Sequence, residues 1–132
     1  MAQLSNYIEN ALMNHLYKNT QHTSSTSTYV ALFNSDPAED ASGTECTGSG
    51  YVRMEMSASQ WGTVSNGSVS NAVQITFPSA SAGDWGTISH AGIFDSGSGG
   101  NMYHYGALNS SVNVTSGDTF IFAVGQLTLS LA

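Results

Sequence analysis

The chain has 132 residues, enough for one domain with a proper core and too few for two of ordinary size. Nine acids stand against two permanent cations, Lys18 and Arg53, for a net charge of −7, and only 8% of the residues are charged. Two cations are too few to displace phosphate counterions or to hold an anionic bilayer, which argues against nucleic acid and membrane as partners.

Residues 4–17, "LSNYIENALMNHLY", predict an amphipathic helix. Leu4, Ile8, Ala11, Leu12, His15 and Leu16 recur at three- and four-residue spacing and form one stripe. Asn6 followed by Glu9 has the spacing of a capping box. The following "KNTQHTSSTST" has no apolar period and reads as an exposed connector. This divides the chain into an N-terminal helix with connector, 1–27, and a β domain, 28–132.

Residues 28–34, "TYVALFN", are β-branched and aromatic and predict a strand buried on both faces. The acidic stretch 35–50 reads as a long surface loop. In 51–56, "YVRMEM", strict alternation points Val52, Met54 and Met56 one way and Tyr51, Arg53 and Glu55 the other. Residues 57–71 read as loop with a tight turn at Asn66-Gly67, and 72–77, "AVQITF", as a strand ended by Pro78. "WGTISHAGIFD" (85–95) and "NMYHYGALN" (101–109) form a hairpin closed by a serine-glycine turn. A second turn region follows at 110–118, and 119–132 supplies one or two last strands with Gly125 as a bulge or corner. About seven short strands without intervening helices imply an antiparallel β-sandwich or jelly-roll-like domain, mainly β, with one N-terminal α-helix.

Chemistry is hard to find in this pattern. His90 and His104 sit on facing hairpin arms, but a metal needs at least a third ligand, and Asp95, Asp84 and His22 have no spacing that compels one. Packing of both imidazoles within the sheet is the simpler reading. Cys46 is the single cysteine, with Glu45 beside it, which discourages a thiolate and rules out an internal disulfide or a multi-cysteine zinc pattern. No Gly-x-Ser-x-Gly elbow and no phosphate-cradling loop is present, and the acids of 36–45 read as a solvated cluster. The sequence has no run of ~18 apolar residues, and "MAQLSNYIEN" lacks the basic and apolar parts of a secretory signal. Synthesis in a cytoplasm is expected, with no catalytic residue, metal or cofactor.

The order of signatures is itself informative. "LSNYIENALMNHLYKNT" leads into "YVALFNSDPAEDASGTECTGSGYVR", then "ITFPSA", "DWGTISHAGIFDSGSGGNMYHYGAL" and "SGDTFIFAVGQLTLSLA". Over essentially the whole chain this resembles a family of small structural proteins of tailed bacteriophages, of the tail-fibre-like or uncharacterised virion kind. The resemblance implies a non-enzymatic virion component, assembled in the host cytoplasm. Two positions are open. One is a capsid decoration (cement) protein that binds the outer surface and reinforces contacts between major capsid protein subunits. The other is a tail fibre or tail/baseplate adaptor, with host-glycan binding as an option. Absence of a shaft or repeat region favours the capsid. Partners are then the major capsid protein or tail proteins of the same phage, and the chain is expected to be a homo-oligomer, trimer or dimer. Ile8, Leu12 and Leu16 on the helix and Trp61 and Trp85 in loops are the expected interface anchors, because buried aromatic and apolar side chains dominate interface energetics.

Overall fold

The computed structural model describes residues 2–131. Its centre is a five-stranded antiparallel sheet in the order β1-β7-β6-β2-β3, built from β1 (Gln3–Leu4), β2 (Ser27–Phe33), β3 (Met54–Ser57), β6 (Gly86–Phe94) and β7 (Met102–Val114). Two two-stranded sheets accompany it: β4 (Ser68–Ser70) with β9 (Thr128–Ser130), and β5 (Ile75–Thr76) with β8 (Ile121–Phe122). The result, among the described residues, is an antiparallel β-sandwich with one α-helix, α1 (Asn6–Tyr17), and no closed barrel.

The alternation of β2 explains both cores. Val30 and Leu32 project to the face packed with Met56, Ile88, Ile93, Phe77, Phe120, Phe122 and Leu127, the residues of the small sheets among them. Ala31 and Phe33 project to the other face, onto Phe94, Met102 and Tyr105. That second face is covered by the acidic loop: Pro37 is fully buried and Ala41 packs on the cluster. The loop expected to be plain solvated surface is therefore half a lid, held at its apolar positions while Asp36, Glu39 and Asp40 stay exposed.

Several boundaries differ from the sequence reading. Leu4 is not helical; it pairs with His104 in β1, and the helix starts at Asn6 with Ser5 as its N-cap. The Ser5 hydroxyl accepts from the Ile8 amide and donates to the Met102 carbonyl, so the cap is also the seam to β7, and the Asn6/Glu9 box is not formed. The strand expected at 51–56 begins only at Met54. Gly50, at φ +87°, turns the chain, the Tyr51 hydroxyl accepts from the Leu32 amide, and Val52 is left exposed rather than inward. Of 72–77, only Ile75–Thr76 pairs. The stretch 110–118 is not all turn: β7 runs on to Val114, and the chain reverses at Thr115–Asp118, where the Asp118 carboxylate accepts from the Thr115 amide and hydroxyl.

Other signals read correctly. Asn66 (φ +52°) and Gly67 (φ +71°) form the tight turn, with Ser65 and Ser68 exchanging backbone hydrogen bonds across it. Gly125 is a corner between β8 and β9 at φ +79°. The hairpin closes at Asp95–Asn101, with the Asp95 amide donating to the Asn101 carbonyl at 3.0 Å.

Candidate functional site

The two histidines do not face each other. The register sets His104 against Ile93 and His90 against Ala107, because a hairpin closed at Asp95–Asn101 brings the 92–93 stretch, and not residue 90, opposite His104. His90 shares a hydrogen bond with the Ser89 hydroxyl. His104, on β7 between β1 and β6, lines a small apolar cavity with Ala2, Ala91, Ile93, Leu127 and Leu129. Burial pushes its pKa down, against a backbone hydrogen bond with Ser130, and its Nε2 has no hydrogen-bond partner among the described residues. Among the described residues no group of three His, Cys, Asp or Glu gathers to hold a metal. Cys46 is buried, and that burial pushes its thiol up, away from reactivity.

The polar centre of the molecule is instead Arg53, which strict alternation had grouped with Tyr51 and Glu55. Its side chain is 7% exposed. Nε and Nη2 bind the two oxygens of Glu45 at 2.8 Å each, and Nη1 donates to the carbonyls of Ser96 and Gly99, also at 2.8 Å. The guanidinium plane covers the Phe94 ring. Tyr51 adds a hydroxyl bond to Glu45 at 2.7 Å. Burial pushes the Glu45 carboxyl up, but the hydrogen bonds from Arg53 and Tyr51 and the Arg53 charge outweigh it and hold it below the usual range. The Tyr51 phenol is driven well up by burial and by its bond to Glu45. The arrangement joins the acidic loop, the entry to β3 and the hairpin tip as a structural clamp, and an open cleft of about 260 Å³ lies over it, lined by Glu45, Tyr51, Arg53, Gly97 and Gly99.

The expected interface anchors divide. Trp85 is only 4% exposed, packed on Tyr51 with its indole N–H donated to the Ser49 carbonyl, so it is a core residue and presents no free surface. Ile8 is buried against its own domain. Trp61 is half-buried on the main core and donates to the Thr28 hydroxyl. Leu12 is half-buried, whereas Leu16 is 64% exposed. Met13 (59% exposed) and Tyr17 (72% exposed) join Leu16 at i, i+3 and i+4 in an exposed apolar ridge, in which Leu16 is also the outer end of the Ile8–Leu12 row. The sequence reading missed Met13 and Tyr17 because it sought one stripe, and this helix has two.

A second surface lies on another side of α1. The connector folds back along the helix: the Thr20 amide donates to the Asn14 carbonyl and the His22 amide to the His15 ring. Between them is an open cleft of about 290 Å³ lined by Tyr7, Asn10, Asn14, Thr20, Gln21 and His22. Tyr7 stacks on Tyr103 with ring centroids 6.1 Å apart, and His22 meets both edge-on.

The chain matches the podophage GP4 fiber I protein gp80 family over residues 3–130. It belongs to that family, one of tailed-phage virion structural proteins. No curated protein matches it. The segments that carried the resemblance now have physical reasons: in "GYVR" and "GIFDSGSGGN", Tyr51, Arg53, Phe94, Ser96 and Gly99 are parts of one clamp, and Asp95 closes the turn by accepting from Asn101.

Proposed function

We propose that the chain is a non-enzymatic building block of a podophage tail fibre, seated on a neighbouring virion protein through the Met13–Leu16–Tyr17 ridge of α1. The observation that carries this reading is the ridge itself. Three large apolar side chains at helical spacing point into solvent from a chain whose remaining surface is mostly Ser, Thr, Asn and Gly. Such a patch on an otherwise polar surface fits a groove or a second helix in a partner. The fibre family is compatible with a position on the tail. The partners are then tail proteins of the same phage.

A density map of the intact particle tests it. The reading expects this domain on the tail, with α1 against a neighbouring chain. Density spread over the capsid lattice would replace it by the decoration reading, and absence from the particle would remove both.

A second reading, host-glycan binding, is favoured by the cleft at α1. Trp61, Trp85, Tyr103 and Tyr105 share no exposed patch: Trp85 and Tyr105 are buried. In the cleft, Asn10, Asn14 and Gln21 have carboxamides without a hydrogen bond among the described residues, beside the Tyr7 ring and with no charge. That chemistry suits a neutral saccharide, which needs amide donors and acceptors and an aromatic face. Retention on a glycan array, lost in Tyr7→Ala and Asn14→Ala, would support it; no retention on any glycan would end it.

A further inference from the structure

Between Ile88 and His90 of β6, the partner in β7 jumps from Val112 to Ala107. One residue, Ser89, therefore stands opposite four, and residues 108–111 pair with no strand of the sheet. Facing them across a groove of about 520 Å³ are β8 and the start of β9. The pairing of β8 with β5 uses one edge only. Because the Phe77 amide donates to the Phe120 carbonyl, the pairs 77/120 and 75/122 are the hydrogen-bonded ones and Thr76/Ile121 is not. The N–H and C=O of Ile121 thus point away from β5, towards the groove it lines. Thr128 is placed alike, since Asn71 donates to Leu127 and the Ser70/Thr128 pair carries no backbone bonds. Leu108, Val112, Phe120, Ile121 and Phe122 supply apolar wall, and no charged residue lines the groove in a chain with nine acids.

We propose that this groove is a self-association surface, on which a second copy of the chain lays its own 108–111 segment antiparallel to the first. An unpaired sheet edge is a template for another strand. Antiparallel pairing of an edge with itself closes on a two-fold axis, each copy giving the same residues. Charge selects the occupant. Two molecules of net charge −7 meet with least repulsion across an uncharged face, whereas a foreign basic partner is drawn to the acids elsewhere. The pairing is independent of the helix ridge, so it stands or falls apart from the fibre reading.

The test uses sedimentation of the full chain over a micromolar concentration range. In the expected two-fold pairing Asn109 faces Ser110 of the second copy, and both positions are exposed, so charges there spare the fold. The wild type is expected to associate, and Asn109→Asp/Ser110→Asp to weaken association by at least about tenfold through like-charge contact. Asn109→Lys/Ser110→Lys should weaken it too, and mixing the two double variants should restore it. Amides of residues 108–111 should exchange more slowly as concentration rises. A wild type that stays monomeric at every concentration overturns the proposal, as does association unmoved by the charge variants. Protection of 108–111 only in the intact particle also overturns it, by giving the groove to a different chain.

Discussion

The guanidinium carbon of Arg53 lies 3.8 Å from the centroid of the Phe94 ring, so one of two permanent cations in the chain is laid flat on an aromatic face of the second core. From that position its five N–H donors reach a carboxylate and two backbone carbonyls of the hairpin tip at once. Removing it strands a half-buried Glu45 and leaves the Ser96 carbonyl without its donor. Arg53→Met is therefore expected to destabilise the fold by about 3 kcal/mol in urea unfolding, in the range for breaking one partner of a buried pair. Arg53→Lys should recover little of that, because an ammonium has no planar fork. Faster amide exchange should be confined first to the hairpin tip.

The same clamp sets the response to acid. The Glu45 carboxyl is lowered in the folded state, so its contribution is fully present above the unfolded value, roughly 4.3, and is lost as pH falls through the lower folded value. Melting temperature should drop across that window. Glu45→Gln should start lower and show a shallower drop, which thermal melts at a series of pH values would reveal.

His104 gives a separate slope at milder pH. Its folded pKa is depressed by burial, so the unfolded chain takes up a proton first. Stability is full above the unfolded value, roughly 6.5, and declines as pH falls from there towards the folded value. His104→Leu, which keeps the apolar cavity filled without a titrating group, should flatten that part of the profile and leave the Glu45 part intact.

Two neighbouring glycines separate strain from space. At Gly99 (φ +61°) a methyl group would meet nothing within 4 Å, so Gly99→Ala should cost only the left-handed conformation, about 1 kcal/mol. Gly100 (φ +73°) would bring its Cβ to 2.5 Å from the Asp95 carboxylate, which binds the Asn101 amide. Gly100→Ala should therefore cost clearly more, about 2–3 kcal/mol, and denaturant curves of the two variants would rank them.

Local turn chemistry was the most legible layer. Asn66-Gly67, the run from Asp95 to Asn101, and Gly125 each need a left-handed or reversing backbone, and their residue types announce it. Features set by tertiary contact were not legible. Leu4 has the right spacing for the helix stripe, yet pairing with His104 draws it into the sheet. Arg53 alternates with Met54 in sequence, but the chain is not yet a strand there, so period two could not show its contacts with Glu45 and the hairpin tip. The serines and asparagine of 110–113 read as turn, although β6 and the groove beyond impose an extended path. At the surface, Leu16 was visible as an apolar helix position, while Met13 and Tyr17 became meaningful only when Ile8 fixed which side of α1 is inward.

The most direct test of a virion part that works by contact is add-back to particles lacking this chain. Wild-type protein and a Met13→Ser/Leu16→Ser/Tyr17→Ser variant would be compared for occupancy, with equal melting temperatures as the check on folding. Loss of incorporation by the folded variant is the predicted result. Wild-type occupancy of the variant would contradict the account.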